Sequence, residues 1–402
     1  MKGMSFVPHR EIVILHGART PFGAFCGTLK DLSATDLGVI AAKAAIERSK
    51  VSATDIDQVI FGNVIQSSTD AAYLARHIGL KSGVPIESPA ITINRLCGSG
   101  FQSIVSAAQE ILLGRAKFVL AGGTENMTQS PFQVWGARTG IPLGKAPMTD
   151  SLMEGLKDSY NNMPMGITAE NLAKKYEISR EASDAFSLQS QQKTKTAQEK
   201  GVFAEEIVAI EMKKKGKVEL FATDEHPRPQ TTVEALQKLS PVFDPKGVVT
   251  AGSSSGICDG AAALVVTSKE EADRRGLSYL GVLRAYGISG CSPDIMGIGP
   301  APAARKALLE LGKTVGDMDL IEVNEAFAPQ VLAVERELGI RPDKLNVNGG
   351  AIALGHPLAA SGARITLSLL LELKRRKKMW GLGSACIGGG QGIAIILESP
   401  QG

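Results

Sequence analysis

Long apolar runs, paired cysteines, aromatic residues and excess charge are all scarce in this 402-residue chain. Each shortage excludes something. The five cysteines (Cys26, Cys97, Cys258, Cys291 and Cys386) are odd in number, lie far apart and form no Cys-x-x-Cys pair. That spacing suits neither a disulfide framework nor a zinc site, and it fits a reducing compartment. No cluster of His, Cys and carboxylates has metal-ligand spacing, so no metal is expected. Lys and Arg number 44 against 41 Asp and Glu, a net charge of +3. Such a balance offers nucleic acid no concentrated basic face. The short basic clusters at 213–215 and 374–378 read as solvated surface. The apolar stretch 365–371 is bounded by Arg364 and Glu372, short of the ~18 residues a membrane helix needs. Residues 1–10 hold no apolar signal-peptide core and 399–402 no peroxisomal address. The expected location is cytoplasmic, or the mitochondrial matrix in a eukaryotic cell.

Glycine is in surplus: 44 of 402 residues, or about 11% against a usual ~7%. Hydrophobic residues make up 44%, enough for a large core rather than wholesale disorder. The chain also repeats itself. Residues 55–63 resemble 317–324, with Asp57 and Asp319 offset by 319 − 57 = 262. Each copy follows an amphipathic helical stretch, 37–48 or 303–311. Strand-like 91–94 then corresponds to 345–348, and both lead into a Gly-rich turn and a long helix, 100–113 or 362–374. Apolar strands follow at 118–121 and 380–385, and the copies close with strands at 261–267 and 393–397. Between Gly123 and the strand at 261 lie roughly 130 extra residues, read as an insertion that covers the first copy's site. Alternating short strands and helices imply layered α/β halves with mixed or mostly parallel sheets. Two packed halves put equivalent loops beside one pseudo-twofold axis, so the functional site should draw on both.

Cys97 is the first candidate for chemistry. It follows the 91–93 strand and precedes the helix at 100 in Asn94-Arg95-Leu96-Cys97-Gly98-Ser99-Gly100. Unpaired N–H groups and the positive end of a helix dipole stabilise a thiolate there. His356 occupies the corresponding turn of the second copy, between Gly355 and Pro357. Neutral imidazole can take a thiol proton, and imidazolium can stabilise an oxyanion. Cys386 begins Cys386-Ile387-Gly388-Gly389-Gly390 at a strand end, where a second thiol could act as general acid and base. Asn324 ends another strand; its amide could fix a water or cap the helix at 328–338. Cys26, Cys258 and Cys291 have no candidate base beside them and are assigned structural roles. No Rossmann or P-loop spacing occurs around Gly122-Gly123.

Taken together, the blocks around Cys97, 324–328, 349–364 and 386–392 resemble the thiolases, most closely the degradative mitochondrial-type 3-ketoacyl-CoA thiolases. The resemblance runs from about residue 11 to 397. It implies a duplicated five-layer α/β/α/β/α fold, with an N-terminal half over 1–274, a loop domain inserted at about 124–248, and a C-terminal half over 275–402. It implies Cys97 as nucleophile, His356 as its activator, Cys386 as the second thiol and Asn324 as holder of a catalytic water. One oxyanion hole would combine the N–H groups of Cys97 and Gly388, the other His356 and the Asn324-bound water. Arg228 and Thr231 match coenzyme A contacts, and Ser255 the serine near the pantetheine. The implied reaction is cleavage of 3-ketoacyl-CoA by coenzyme A, a co-substrate, with no tightly bound cofactor. A homodimer or homotetramer is implied as well. Three positions depart from the usual pattern: Ser253 for Asn, Ala359 for Gly, and Pro164 for the His of short-chain biosynthetic thiolases. The alternatives are a short-chain acetyl-CoA acetyltransferase, a ketoacyl-synthase-like enzyme, which Cys386 argues against, and a non-catalytic CoA- or lipid-binding relative.

Overall fold

The computed structural model describes residues 10–146, 148–214 and 216–400. Residues 1–9, 147, 215, 401 and 402, and the side chains of Lys213 and Lys214, lie outside the described residues; parts of the signal-peptide, peroxisomal-address and first basic-cluster readings fall on them. The first copy starts with β1 (Ile12–Arg19) and the two-residue β2 (Gly23–Ala24). Helix α1 (Ala34–Arg48) is opened by a reciprocal capping box between Ser33 and Asp36, which satisfies two N–H groups that a helix start leaves free. Then come β3 (Gln58–Gly62), α2 (Leu74–Lys81), β4 (Ala90–Ile93), α3 (Ser99–Leu112) and β5 (Phe118–Asn126).

The segment that follows β5 carries its own small elements. Hairpin β6 (Phe132–Val134) with β7 (Met148–Asp150), α4 (Ser151–Gly155), and the short pair β8 (Lys157–Asp158) and β9 (Met163–Pro164) come first. Helices α5 (Met165–Lys175) and α6 (Arg180–Glu199), hairpin β10 (Ile210–Lys214) with β11 (Lys217–Phe221), and α7 (Val233–Gln237) follow. The chain re-enters the main sheet as β12 (Cys258–Ser268), followed by α8 (Lys269–Arg275).

The second copy runs through β13 (Gly281–Gly290), α9 (Pro300–Glu310), β14 (Leu320–Val323), α10 (Ala328–Leu338), α11 (Ala351–Leu354), α12 (Ser361–Arg376), β15 (Trp380–Ile387) and β16 (Gln391–Glu398). The duplication reaches single hydrogen bonds. Asp57 accepts from the backbone N–H groups of Lys117 and Phe118, and Asp319 accepts from those of Met379 and Trp380. All three positions in each set differ by 262.

Among the described residues the main strands form one sheet in the order β14-β15-β16-β13-β1-β12-β5-β3-β4, with β2 on β12. The seam between the copies is the antiparallel pairing of β1 with β13. Parallel pairing is confined to β3–β4, β3–β5 and β14–β15; the other joins along this order are antiparallel. The sheet is therefore mixed, the first of the two arrangements expected, with antiparallel joins in the majority. Gly388–Gly390 returns the chain tightly from β15 to β16, and so short a turn can join only antiparallel strands. The strand expected at 345–348 is reduced to two isolated bridges, Ile321 with Leu345 and Val347 with Gly349.

Three apolar clusters give the layers. One joins α1 and α2 to the first copy's strands, another joins α9 and α10 to the second copy's, and the central cluster joins α3 and α12 to strands of both. This is the five-layer α/β/α/β/α arrangement. Helix α12 lies in the middle layer, so it is apolar on nearly every side: Ile365, Leu367, Leu369, Leu370, Leu371 and Leu373 are all buried. Each such side chain contributes about 1.5–3 kcal/mol on leaving water. Arg364 and Glu372 are buried too, beside Glu322 and between Arg375 and Arg376. At the starts of α3 and α12 the backbones almost touch. A Cβ on Gly100 would sit 2.5 Å from Ala363 N, and one on Gly362 would sit 2.2 Å from Phe101 N. Glycine at both positions brings the two active turns together.

Candidate active site

Cys97 lies in a single 3-10 turn, Leu96–Gly98, just before α3, and Leu96 takes φ +46 to make the bend. Its side chain is half-buried and packs against Ile65, Met127, Leu152 and Leu358. The Gly388 N–H and the cysteine's own N–H both act on the sulfur. Gly388 comes from the far copy, at the end of β15. The N–H groups act in the direction that a helix start predicts, and burial opposes them. Burial pushes Cys97 up to about 11, outweighing the two N–H groups, and the Glu125 carboxylate adds to the rise.

Cys386 is fully buried on β15 among Ala169, Val249, Met296 and Phe327. Burial raises its thiol well above the ordinary value, and Cys97 lies within electrostatic reach of it. Met165 packs on the same cluster, and its sulfur lies 3.5 Å from where a Gly388 Cβ would be.

His356 is held from both ring nitrogens. Nδ1 lies 2.6 Å from Ser361 Oγ, and the Asn324 Nδ2 amide faces Nε2 at 3.3 Å. Ser361 Oγ also donates to Pro357 O, which leaves it free to accept from Nδ1–H and leaves Nε2 as the lone-pair nitrogen. Burial, with the Arg364 charge nearby, holds the imidazole down to about 3, so it is neutral. Asn324 is buried at the end of β14, its N–H donating to Ser384 O. Its Oδ1 has no protein partner among the described residues. It is not the cap of α10: Phe327 holds the cap position, and Gln330 Oε1 takes the Ala326 N–H. No described hydrogen bond joins Cys97 directly to His356; the two turns meet through Leu358 and Ala359.

The expected coenzyme A positions lie on a separate loop. Arg228 is exposed, with its backbone N–H on Gln191 Oε1 at 2.9 Å, and Thr231 Oγ1 donates to Arg228 O. A buried charge cluster anchors this loop. Arg19 pairs with Glu206 at 2.7 Å and with Asp224 at 2.6 Å, all almost inaccessible to solvent. His226 Nδ1 lies 2.8 Å from Ala353 O, and its ring fills the space a Gly256 Cβ would need. Gly256 O in turn accepts the His356 N–H. Ser255 donates its N–H to Ala326 O, beside the Asn324 segment. Hence Ser255 lies near the central turns, while Arg228 and Thr231 lie further out along the same chain of contacts.

The other cysteines are spread out. Cys26 is exposed and Cys291 half-buried, and Cys258 is buried against Gly355, whose φ is +95. Sequence reasoning missed Glu125, Ser361 and His226. Ser361 could have been found, since it is the 262-offset partner of Ser99. Departures from the usual pattern are also accommodated. Ala359 is buried beneath glycines: a Cβ on Gly123 would lie 1.9 Å from Ala359 O, and one on Gly100 would lie 2.6 Å from it. Ser253 Oγ accepts the Thr250 N–H at 2.8 Å.

Residues 12–270 match the family model described as Thiolase, N-terminal domain, and residues 277–399 match Thiolase, C-terminal domain. The chain belongs to the thiolase family. As a thiolase it is an acyltransferase. Human mitochondrial 3-ketoacyl-CoA thiolase is 54% identical over 97% of this chain and 98% of its own. The crystal structure of the human enzyme in complex with CoA superposes with a TM-score of 0.95, again at 54% identity, covering 97% of this chain and 98% of that one. The acetyl-CoA acetyltransferase of Chromobacterium violaceum is 47% identical over 97% of this chain and 100% of its own. No described helix is long and apolar enough to cross a membrane.

Proposed function

We propose that this thiolase cleaves 3-ketoacyl-CoA with coenzyme A to acyl-CoA and acetyl-CoA, as in fatty-acid β-oxidation. The observation that carries the reading is the meeting of Cys97, the Gly388 N–H and Cys386 from opposite copies. At rest Cys97 is a thiol and His356 a neutral imidazole, so proton transfer from Sγ to Nε2 accompanies attack on the C3 carbonyl. The Cys97 and Gly388 N–H groups receive the oxyanion that forms. Its collapse breaks C2–C3 and releases the acetyl-CoA enolate, stabilised by His356 and a water on Asn324. The enolate takes the Cys386 proton. Incoming coenzyme A gives its thiol proton to the Cys386 thiolate and attacks acyl-Cys97. The departing Cys97 sulfur recovers its proton from His356, so every proton is accounted for.

Arg228 and Thr231 serve the nucleotide end of coenzyme A and Ser255 the pantetheine, a reading supported by their order along the anchored loop. Met163 and Met165, flexible and apolar, with the apolar group around Cys97, favour acyl chains longer than four carbons. The second reading is a short-chain acetyl-CoA acetyltransferase, favoured by the Chromobacterium relative. We read the chain as halves 1–274 and 275–402 with a loop domain at about 124–248. We also read it as a homodimer or homotetramer, since Phe132, Trp135 and Leu143 of the β6–β7 segment and Ile91 on edge strand β4 are exposed apolar residues. A cytoplasmic or mitochondrial-matrix location fits this chemistry.

Acetyl-CoA treatment followed by peptide mass spectrometry tests the nucleophile, with the label expected on Cys97. Label on Cys258 or Cys291 overturns the assignment. Thiolysis across four- to sixteen-carbon substrates separates the two readings, and strict four-carbon preference selects the acetyltransferase.

A further inference from the structure

Glu125, the last residue but one of β5, is a fully buried side chain, and no salt bridge reaches it among the described residues. Its partners are all N–H donors. Oε1 accepts from Asn63 Nδ2 (3.0 Å) and the Ile65 N–H (2.9 Å), and Oε2 accepts from the Val64 N–H (3.1 Å) and the Ala359 N–H (3.1 Å). Three of these donors belong to the loop after β3 in the first copy. The fourth belongs to the second copy, in the turn between His356 and Ser361, the residue bonded to the imidazole. Ile65 and Leu358, on either side of this web, both pack against Cys97.

The repeat gives the arrangement further meaning. Adding 262 to Cys97 gives Ala359, and adding it to Glu125 gives Ile387, the residue before Gly388. At the first copy's site the Cys97 N–H, with the Gly388 N–H reaching in from the second copy, faces the reacting sulfur. At the related position of the second copy, the Ala359 N–H faces a carboxylate that the chain itself supplies. One copy keeps its amide for a charge that develops during reaction, and the other has its amide occupied permanently.

We infer that Glu125 is a positioning residue for the thiolase reaction: its carboxylate clamps the His356 turn to the first copy's site loop. The inference rests on the proposed reaction only for the roles of Cys97 and His356. Titratable groups facing Glu125 are Cys97 on the turn before α3 and Asp259 on β12. Burial raises Glu125 to about 7 and Asp259 adds to the rise, against the pull of the backbone N–H donors. Around neutral pH the clamp is therefore partly charged, and its grip on the four donors strengthens as pH rises through 7.

Glu125→Gln tests this, because one amide end must then face N–H donors with donors of its own. Turnover in thiolysis should fall at least about tenfold, while KM for coenzyme A stays within about twofold. The pH profile of Cys97 alkylation by iodoacetamide, a readout that needs no substrate, should move to lower pH. Glu125→Asp keeps the charge and should leave that profile where it is in the wild type, with part of the turnover restored. Wild-type turnover in Glu125→Gln overturns the clamp. So does an unmoved alkylation profile with turnover falling equally in both variants, the mark of general destabilisation. Hydrogen exchange on the unaltered protein tests it without any substitution. The Ala359 amide should exchange as slowly as those of β5, and exchange at the rate of exposed turns overturns the inference. An enzyme with no thiolysis at all refutes the proposed reaction but leaves alkylation and exchange to judge Glu125.

Discussion

Replacing Gly100 with alanine adds one methyl group where two helix starts meet, and its cost follows from three distances. The new Cβ would lie 2.5 Å from Ala363 N, 2.6 Å from Ala359 O and 3.1 Å from the Gly362 Cα. All three are backbone atoms, so no rotamer change relieves the clash. Restoring ordinary contact separates α3 from α12 by about 1 Å, at the ~1–3 kcal/mol typical of overpacking. The helix-propensity gain of alanine over glycine is at most ~1 kcal/mol and smaller in a first turn, so the change destabilises. Function should suffer more than stability. Cys97 lies three residues before Gly100, and Ala359 lies three after His356, so the separation falls directly between the reacting groups. A misplacement of about 1 Å costs roughly 100-fold in rate. Urea unfolding and a thiolysis assay on the same preparation measure both effects. Gly316→Ala is the control, because only Thr314 Oγ1, at 3.5 Å, comes within 4 Å of its new Cβ. A Gly100→Ala enzyme with wild-type turnover and an unchanged unfolding midpoint would refute the claim that glycine backbone contact sets the geometry.

Three further outcomes are expected. Cys386→Ser should lose carbon–carbon cleavage by ~100- to 10,000-fold yet keep acetylation of Cys97 by acetyl-CoA, because only cleavage needs the second thiol's proton; parallel loss of both excludes Cys386 as the proton donor. Alkylation of Cys97 in the free enzyme should rise about tenfold per pH unit from 7 to 10, since its thiol ionises near 11 and only the thiolate reacts. A plateau below pH 8 would show instead that the N–H groups overcome burial. Arg19→Met leaves Glu206 and Asp224 buried without their cation, a loss of ~3–5 kcal/mol. Urea unfolding should record it, together with a raised KM for coenzyme A as the 224–228 loop loosens; unchanged stability contradicts the anchoring role.

Much of this architecture is legible in the sequence because duplication writes it twice. Asp57 and Asp319 are recognisable by offset alone, and they mark equivalent turns in space. Cys97, His356 and Cys386 stand out because a reactive side chain in a glycine-lined turn is rare. The seam between β1 and β13 is not legible, since it depends on pairing residues about 270 positions apart, and no local pattern encodes register at that range. The sequence left mixed and mostly parallel sheets both open, as strand alternation fixes the order of elements and not their direction. The burial that opposes ionisation of Cys97 is hidden for a related reason. The helix start is visible in sequence, but the depth of burial depends on Ile65, Met127, Leu152 and Leu358, which come from four separate segments. Glu125 was invisible for the same cause: a glutamate in a strand does not announce that four N–H groups will converge on it.

Strand β1 has a consequence for synthesis. It lies between β12 and β13, with Val13 and Ile14 fully buried, so this strand, the first among the described residues, has both neighbours at positions beyond 257. At ~5–20 residues per second, the ribosome needs roughly 10 to 50 seconds to supply the first of them. During that interval an apolar strand with two open edges is exposed to whatever surrounds the nascent chain. Slowed translation between residues 20 and 258 should therefore raise the demand for holding chaperones, while slowing after residue 290 should not.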